Sequence, residues 1–397
     1  MNVVLLGASG SIGSQSIEII KKDKNKWNLV GFSVGKRVEK IDQILSFFSS
    51  VRYICVQLKK DYLILKKKYP LIKFFYGDKG LLKLIKANKD ATIINALVGF
   101  AGVAPSLLTL ENNQTLLLAN KESLVVAGEL INNLLDKGKG KLYPIDSEHV
   151  AIAKCLYGEN IENVQFITIT ASGGPFYYLT KEDLKKVTKK DALNHPTWKM
   201  GAKITIDSAT MMNKTFEVIE AHYLYRLPSQ LIKTVVDRLS QLHGFVTFKD
   251  GHVNLNVSKN TMEYPIRYAL NLGVPENGTR FTDIEKNTLS KKKLLPLDRN
   301  RFSLLNYADL VINEGKDSGA ILNAINEELV YAFLNNQINF VDIEKIIDKI
   351  MKDAEFRVVK SYKDLKKVDK KYRKLVKEMI RGSWGKLWLY YQDFGAQ

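Results

Sequence analysis

The first third of the chain alternates short apolar runs with segments of helical periodicity. The apolar runs are candidate strands, namely Val3–Leu6, Leu29–Ser33, Tyr53–Val56, Thr92–Ala96 and Gln114–Leu118. Several are apolar at every position, which is typical of strands covered on both faces of a parallel sheet. The segments between them would supply the crossover helices. We therefore predict a parallel α/β sheet over residues 1–137.

A different pattern begins after the basic, glycine-rich segment Lys137–Lys141. Strand candidates Leu142–Ile145, Gln165–Thr170, Leu242–Lys249 and Val253–Val257 mix with helical segments near His149–Tyr157 and Met211–Leu224. An Asp-Gly pair at Asp250-Gly251 joins the last two strands, as in a β-hairpin. We predict an α+β unit over residues 138–272.

The last part of the chain is predicted to be helical. Residues 273–300 are polar and irregular, with Asn277-Gly278 and Lys291-Lys292-Lys293, and are read as a linker. From residue 301 to 397 the apolar positions recur at helical spacing, for example in Ala320–Leu334 and Val341–Met351. The expected architecture is an N-terminal parallel sheet, a central α+β domain and a C-terminal α-helical domain.

The chain is strongly basic, with 60 Lys and Arg against 42 Asp and Glu and a formal charge of +18. Such an excess raises the possibility of nucleic acid as a partner. The basic stretch Met351–Arg381 has neither zinc-finger spacing nor an aromatic platform, so we expect a solvated lysine-rich surface and anionic small ligands. Nucleic-acid binding stays as an alternative class that rests on charge alone.

Cysteine content and hydrophobic runs indicate the compartment. Cys55 and Cys155 are too few for a disulfide framework or a structural zinc site, which favours a reducing cytoplasm. Met1-Asn2 lead directly into the first apolar run, so we expect no targeting segment. The run Ala91–Leu110 is interrupted by Asn95, Gly99, Gly102 and Pro105, so we do not expect it to cross a membrane.

Gly7, Gly10 and Gly13 lie between the first predicted strand and a helix beginning near Ser11. Glycines there let backbone amides and a helix N-terminus approach a pyrophosphate, as in Rossmann-like folds. Their spacing differs from the commonest dinucleotide motif, and a tight turn is the alternative. A carboxylate after the second strand would indicate NAD, but this chain has Lys36 and Arg37 there. These two cations favour NADPH, and solvated surface cations are the alternative.

Asp146 and Glu148 lie two residues apart at a predicted strand end, where alternation would put both on one face. Glu217 follows Asn213 and Lys214 at helical spacing. Carboxylate oxygens without Cys or His favour Mg²⁺ or Mn²⁺ over zinc. The sequence therefore predicts a divalent-metal site, against the alternative of surface carboxylates.

Hydroxyl, amide and ammonium groups accompany these carboxylates. Ser172, Ser208, Asn213 and Lys214 form a donor set suited to a phosphate group. Lys121 follows the fifth predicted strand, at an edge where ligands gather in such sheets.

The segment Asn194–Gly201 has the composition of a loop that covers a ligand. Trp198 and Met200 would give apolar cover, His195 a donor, and Pro196 and Gly201 hinges. We predict a lid near residues 193–201, with static packing as the alternative.

Together these motifs resemble the 1-deoxy-D-xylulose 5-phosphate reductoisomerase family of the non-mevalonate isoprenoid pathway. The resemblance covers most of the chain and is densest in Asp207-Ser208-Ala209-Thr210-Met211-Met212-Asn213-Lys214 with Glu217. It recurs in Leu322-Asn323-Ala324-Ile325-Asn326-Glu327. The family fold is a V-shaped subunit of three parts that forms a homodimer, in agreement with the predicted domains.

The resemblance implies a role for each site residue. Metal ligands would be Asp146, Glu148 and Glu217, and catalytic residues Lys121, Glu148 and His195. Substrate would be bound by Asn120, Lys121, Ser147, Glu148, Ser172, His195, Trp198, Met200, Ser208, Asn213, Lys214, Glu217 and His243. NADPH would be bound by Gly7, Ala8, Ser9, Gly10, Ser11, Ile12, Gly35, Lys36, Arg37, Ala96, Val98, Asn120, Glu122 and Gly201.

The implied reaction is a metal-dependent rearrangement of 1-deoxy-D-xylulose 5-phosphate followed by reduction with NADPH, giving 2-C-methyl-D-erythritol 4-phosphate. The family's favoured description of the rearrangement is retro-aldol cleavage and re-addition. Another NADPH- and metal-dependent dehydrogenase of a phosphorylated hydroxy-carbonyl compound is the alternative function.

Two segments depart from the family pattern. The family usually reads His-Pro-Gln-Ser where this chain has Asp237-Arg238-Leu239-Ser240, ahead of the strand with His243. The lysine-rich tail after Met351 also differs, so its helices could pack differently. Neither departure changes a predicted metal or phosphate ligand.

Overall fold

The structure, a computed structural model, describes residues 1–198, 200–275 and 294–382. Most of the predicted linker 273–300, including Asn277-Gly278 and Lys291-Lys292-Lys293, therefore lies outside the described residues. The same holds for Lys199 in the predicted lid and for residues 383–397 of the predicted helical domain.

Seven parallel strands form the first sheet, in the order β4-β3-β2-β1-β5-β6-β7. They are β1 Asn2–Leu6, β2 Asn28–Val34, β3 Tyr53–Val56, β4 Lys73–Tyr76, β5 Thr92–Asn95, β6 Thr115–Leu118 and β7 Lys141–Pro144. The crossover helices are α1 Ser11–Lys22, α2 Lys40–Phe47, α3 Lys59–Lys68, α4 Gly77–Lys86, α5 Val103–Glu111 and α6 Glu122–Asp136.

Burial explains why these apolar runs become central strands. In β1, Val3, Val4, Leu5 and Leu6 have no exposed surface, since helices cover both faces of the sheet. The strand order reverses direction between β2-β1 and β1-β5, which opens a crevice at the carboxyl ends of the strands.

Two strands of this sheet differ from the prediction. Strand β4 was not predicted, because its Lys-Phe-Phe-Tyr sequence lies at the sheet edge and is not apolar throughout. Strand β7 was assigned to the second unit, but it pairs in parallel with β6 and completes the first sheet. The first sheet thus extends beyond the predicted limit at residue 137.

In the described part of the chain, the second sheet has five strands in the order β11-β10-β8-β9-β12. They are β8 Val164–Ala171, β9 Ile232–Val236, β10 Leu242–Phe248, β11 Val253–Val257 and β12 Leu295–Pro296. Strands β8 and β9 pair in parallel, whereas β10 and β11 form the predicted hairpin, with Gly251 at φ +91° in the turn. The accompanying helices are α7 Ser147–Cys155, α8 Lys181–Leu184, α9 Lys189–Ala192, α10 Ala202–Thr210, α11 Met212–Tyr225 and α12 Glu263–Leu270.

Within residues 294–382, four α-helices follow: α13 Asn306–Glu314, α14 Ser318–Leu334, α15 Phe340–Asp353 and α16 Tyr362–Gly382. Their apolar faces share one large core with α6, α11 and the second sheet. The predicted fold class is confirmed, since a parallel sheet, a mixed sheet and C-terminal helices follow one another along the chain. Among the described residues, no helix is both long and apolar enough to cross a membrane.

The glycines at the start of α1 allow the helix to pack closely on the turn that precedes it. Gly7 has φ +84°, and a Cβ there would lie 2.6 Å from the Ala96 carbonyl oxygen. A Cβ on Gly13 would lie 2.2 Å from the Gly7 carbonyl oxygen, which is too close for any side chain. The motif therefore fixes the distance between helix and turn.

We expect Gly13→Ala to lower the free energy of unfolding by about 1–3 kcal/mol, since the overlap with backbone outweighs the gain in helix propensity. Urea unfolding followed by circular dichroism measures this. Ser14→Ala, at the exposed neighbouring position of α1, is the control and should not destabilise the protein. Equal stability of both variants would contradict the close-packing role.

Candidate active site

A cavity of about 560 Å³ lies between the carboxyl edge of the first sheet and the central domain. It is lined by predicted site residues from the α1 N-terminus, α7, the β8 end, the predicted lid and α11. They are Ser11, Ile12, Lys121, Asp146, Ser147, Glu148, Ser172, His195, Trp198, Met200, Gly201, Ser208, Asn213, Lys214 and Glu217.

Three carboxylates converge at the base of the cavity. Asp146, Glu148 and Glu217 each offer an oxygen, and these oxygens all lie within 4.8 Å of one another. Asp146 is the N-cap of α7, where its Oδ1 accepts the backbone N–H of Glu148 at 3.1 Å. The two residues share a face because of this capped helix start, so the predicted strand end was wrong in its local structure. Glu217 reaches the same point from α11.

Two lysines neutralise these carboxylates. Lys121 Nζ lies 3.0 Å from Asp146 Oδ2 and 3.0 Å from Glu217 Oε1. Lys214 Nζ pairs with Glu217 Oε2 and lies 3.8 Å from Glu148 Oε1. Burial lowers the pKa of Lys121, but the carboxylates outweigh burial and hold that pKa well above its usual 10.5. Both ammonium groups are therefore charged.

The pKa values of Asp146 and Glu148 shift in opposite directions in this environment. Burial raises the pKa of Asp146, but Lys121 and other nearby cations outweigh it and hold the pKa well below 3.8. Burial, with Glu217 and Asp146 nearby, raises the pKa of Glu148 to about 8 although Lys214 opposes the shift. Three carboxylates face two ammonium groups, so the cluster has an excess of negative charge only once Glu148 gives up its proton. Three hard oxygen donors this close together fit one divalent cation, whose charge would favour the ionised form of Glu148.

A second group of polar side chains lies at the β8 end of the cavity. His195 Nε2 lies 3.1 Å from Ser172 Oγ and 3.0 Å from Ser208 Oγ. Its Nδ1 accepts the backbone N–H of Thr197 at 3.2 Å and of Trp198 at 3.0 Å. Because Nδ1 is an acceptor, the proton of the neutral ring is assigned to Nε2.

Electrostatics keep this histidine neutral. Burial and then the positive charge of Arg238 lower the pKa of His195 to about 4. His195 therefore presents an Nε2–H donor beside two hydroxyl groups. In α11, the side-chain amide nitrogen of Asn213 is a further donor and bonds to Glu217 Oε1. This donor-rich end of the cavity is suited to a phosphate group.

Residues of the predicted lid line the cavity. Trp198 and Met200 line the cavity, and Gly201 precedes α10, which carries Ser208. The Trp198 ring packs against His243 of β10 with the ring centroids 6.2 Å apart. His243 itself is 2% exposed and is absent from the cavity wall, so the strand prediction is confirmed but the ring lies beneath the lid.

The N-terminus of α1 also borders the cavity. Gly10 is its N-cap, with no side-chain hydrogen bond to the first turn, and Ser11 and Ile12 line the cavity. The N–H of Gly7 donates to Ser33 Oγ at 2.9 Å, which ties the turn to β2. Lys36 and Arg37 are exposed just beyond β2. The glycine-rich turn thus leaves room and donors for an anionic cofactor.

Asn120 and Glu122 lie behind the cavity rather than in its wall. The Asn120 amide donates to the carbonyl oxygens of Leu97 and Gly99, at 3.0 Å each. Glu122 Oε1 pairs with Lys203 Nζ at 2.7 Å. The other predicted residues outside the wall are Gly7, Ala8, Ser9, Gly10, Gly35, Lys36, Arg37, Ala96 and Val98.

Several residues of the wall were not predicted from the sequence. They include Gln15, Ser240, Asn260, Thr261 and Met262. Ser240 belongs to the segment that departs from the family pattern, and Asn260–Met262 follow β11 in a polar loop. The residues around Asn260 do not indicate that it belongs to a site, because its place in the cavity wall depends on how the second sheet folds.

Family models match most of the chain. A model described as 1-deoxy-D-xylulose 5-phosphate reductoisomerase matches residues 3–128, and a model of its C-terminal domain matches residues 142–225. A further model, described as DXP reductoisomerase C-terminal domain, matches residues 257–375.

Curated relatives and solved structures agree with these matches. The 1-deoxy-D-xylulose 5-phosphate reductoisomerase of Bacillus cereus (strain AH187) is 39% identical over 382 residues, which cover 96% of this chain and 100% of the relative. A crystal structure of DOX-P reductoisomerase with NADPH, fosmidomycin and magnesium superposes with TM-score 0.88 at 31% identity, covering 96% of this chain and 98% of the other. The Zymomonas mobilis enzyme with NADPH has TM-score 0.86 at 30% identity, with 96% and 99% covered.

The buried His243 makes folding sensitive to acid. Burial lowers its pKa to about 4, against 6.5 for an ordinary histidine. Between these values the unfolded chain binds a proton that the folded chain does not, so the free energy of unfolding falls as pH falls. At pH 5 we expect His243 to contribute a loss of about 2 kcal/mol relative to pH 7.

Urea unfolding at pH 7 and pH 5 measures this loss in the wild type and in His243→Gln, which should lose about 2 kcal/mol less. His252→Gln changes an exposed histidine of the hairpin turn and should retain the wild-type response. The same acid sensitivity in His243→Gln would refute the assignment.

Proposed function

This chain belongs to the 1-deoxy-D-xylulose 5-phosphate reductoisomerase family, and we propose how its residues carry out the family's reaction. That reaction converts 1-deoxy-D-xylulose 5-phosphate to 2-C-methyl-D-erythritol 4-phosphate with NADPH and a divalent metal. One observation carries the proposal: three clustered carboxylates, a serine–histidine donor set and a glycine-rich helix start all border one cavity.

Asp146, Glu148 and Glu217 would hold Mg²⁺ or Mn²⁺, because the three side chains offer hard oxygen donors within reach of one ion. A bound divalent ion supplies Lewis acidity toward the ketone and adjacent hydroxyl oxygens of the sugar. Lys121 provides a charged donor at the same point. Its ammonium would stabilise negative charge on a sugar oxygen while the carbon–carbon bonds rearrange.

Ser172, Ser208, Asn213 and Lys214 would bind the substrate's phosphate, with His195 as a neutral donor. Lys214 is charged, because Glu217 and Glu148 outweigh the effect of burial and raise its pKa. A phosphate held at this end of the cavity fixes the sugar relative to the carboxylates. The phosphate would thus contribute binding energy remote from the reacting carbons.

The α1 N-terminus and the turn at Gly7–Gly13 would bind NADPH, with Lys36 and Arg37 near its 2′-phosphate. The cofactor supplies the hydride that reduces the rearranged aldehyde. Asn120 would act here indirectly, because its amide holds the carbonyls of the Leu97–Gly99 segment in place.

Trp198 and Met200 would close over the substrate and exclude water from the reacting carbons. Trp198 already packs on the buried His243, so the lid has a fixed base in β10. Ser147, whose hydroxyl donates to Glu148 Oε2 at 2.6 Å, would orient that carboxylate and contact a sugar hydroxyl.

We also propose that the enzyme is a cytoplasmic homodimer, as the family resemblance implies. Cys55 and Cys155 are both buried and free, in keeping with a reducing compartment. The domain limits 1–137, 138–272 and 301–397 and the linker 273–300 stay a proposal, except that Lys141–Pro144 pairs with the first sheet.

Purified protein should oxidise NADPH with 1-deoxy-D-xylulose 5-phosphate when Mg²⁺ or Mn²⁺ is present and should stop when EDTA is added. Glu217→Gln should cut turnover by at least ~100-fold, because it removes one negative charge from the metal shell. The amount of metal needed for half-maximal rate should rise in parallel. Circular dichroism checks that the variant is folded.

Glu18→Gln, on the exposed face of α1, is the matched control and should retain wild-type turnover. A near-normal rate for Glu217→Gln at low metal would remove Glu217 from the metal ligands. Inactivity of folded wild type with both metals would favour a different phosphorylated hydroxy-carbonyl substrate.

Replacing Lys36 and Arg37 together with Ala should lower the preference for NADPH over NADH by about 10–100-fold, since two charge-assisted contacts with the 2′-phosphate are lost. Steady-state kinetics with each cofactor measure the preference. The control replaces Lys59 and Lys60, an exposed pair at the start of α3, with Ala. An unchanged preference would refute the proposed role.

A further inference from the structure

The segment Asp237-Arg238-Leu239-Ser240, between β9 and β10, is held in a fixed turn. The Asp237 carboxylate accepts the backbone N–H of Leu239 at 3.1 Å, of Gln241 at 3.0 Å and of Leu242 at 2.9 Å. Its own N–H donates to the Ala171 carbonyl oxygen at 2.9 Å. Asp237 is 3% exposed, so its buried carboxylate fixes the turn while its backbone N–H ties the turn to the end of β8.

From this turn, Arg238 reaches the predicted phosphate end of the cavity. Its Nη1 donates to the carbonyl oxygen of Ser172 and, at 2.9 Å, to that of Gly174. The guanidinium carbon lies 5.5 Å from the ring centroid of Tyr177 and 5.4 Å from that of Tyr178. Two carbonyls and two aromatic rings thus hold the planar cation in one orientation.

The contacts of Arg238 fix the backbone conformation of the Gly173-Gly174 turn, which two glycines would otherwise leave flexible. Gly173 and Gly174 adopt φ +79° and +64°, a conformation that glycine reaches without strain. A Cβ on Gly173 would lie 2.9 Å from Arg238 Nη1, so the guanidinium packs directly against this turn. The same turn carries Ser172, whose Oγ lies 3.1 Å from His195 Nε2.

The charge of Arg238 also reaches the cavity. It is the second cause, after burial, that lowers the pKa of His195. A positive charge that disfavours the imidazolium favours an anion bound at the same place.

We propose that Arg238 is a positioning residue for the substrate's phosphate group, fixing the Ser172–Gly174 turn and adding positive charge behind it. The inference rests on the proposed function, which assigns Ser172, Ser208, Asn213 and Lys214 to the phosphate. Arg238 lies in the Asp237–Ser240 segment, one of the two segments that depart from the family pattern.

The test compares Arg238→Met, Arg238→Lys and the wild type. Arg238→Met removes the charge and both hydrogen bonds, and should raise KM for 1-deoxy-D-xylulose 5-phosphate and Ki for inorganic phosphate each by at least ~10-fold. The kcat should stay within about threefold and KM for NADPH should not change, because the reacting groups are untouched. Arg238→Lys retains the charge and should recover part of both losses.

Lys233→Met, at an exposed position of β9, removes the same charge elsewhere and should leave all four constants unchanged. Unchanged KM and Ki in Arg238→Met would overturn the proposal. So would a parallel loss of kcat and of both KM values together with a lowered melting temperature, because that outcome indicates a general structural role. If Arg238→Met does not fold, Arg238→Gln and Arg238→Lys provide the same comparison.

Calorimetric titration with inorganic phosphate separates this inference from the proposed function. If the wild type binds phosphate and Arg238→Met binds it at least ~10-fold more weakly, the role of Arg238 is supported even when the sugar phosphate is not turned over. If the wild type turns over the sugar phosphate but the variant binds phosphate equally well, only the role of Arg238 is refuted.

Discussion

The structure depends on the confinement of Asp146, Glu148 and Glu217 within 4.8 Å of one another. Two ionised carboxylates at that separation repel by roughly 3.5 kcal/mol at an effective dielectric constant near 20. Three such pairs would rival the whole stability of a typical domain. Lys121 and Lys214 offset this repulsion in the protein itself, and Glu148 lessens it further by retaining its proton near neutral pH. The fold therefore carries a cluster that a divalent cation would complete.

A second buried charge network connects the three parts of the chain behind this cluster. Lys203 of α10 lies 2.7 Å from Glu122 of α6 and 2.7 Å from Asp207. Asp207 Oδ1 accepts from Asn326 of α14 at 2.9 Å. Breaking one partner of a buried pair typically costs about 3–5 kcal/mol, so these elements are held in register. The helix after the lid is thereby fixed relative to both the first sheet and the C-terminal helices.

The sequence predicted features that depend on local pattern and missed those that depend on pairing. Continuous apolar runs identified the central strands, because full burial selects Val, Leu and Ile at every position. The edge strand Lys73–Tyr76 and the short strand Ile232–Val236 lack that pattern and were not predicted. Strand Lys141–Pro144 was assigned to the wrong sheet, since a local sequence does not specify its partner.

The same distinction applies to the site. The residue types of Asp146 and Glu217 indicated a metal, and the structure brings these residues together. The reason for the geometry at Asp146 was missed, because a carboxylate before a helix and one at a strand end have similar local sequences. Asn260 joins the cavity wall only through the folding of the second sheet, so its place could not be read from the residues around it.

One cation of the basic C-terminal helix α16, Arg373, stabilises the fold through partly buried ion pairs. Arg373 of α16 lies 2.8 Å from Glu327, 3.1 Å from Glu328 and 2.8 Å from Asp369. Glu327 also accepts the backbone N–H of Phe100 at 3.3 Å, and a Cβ on Gly99 would lie 2.4 Å from its Oε1. Because Arg373 compensates Glu327, the carboxylate can stay close to the Gly99 turn, which the family resemblance places at the cofactor edge. The lysine-rich tail thus supports the Gly99 turn, which follows strand β5 of the first sheet.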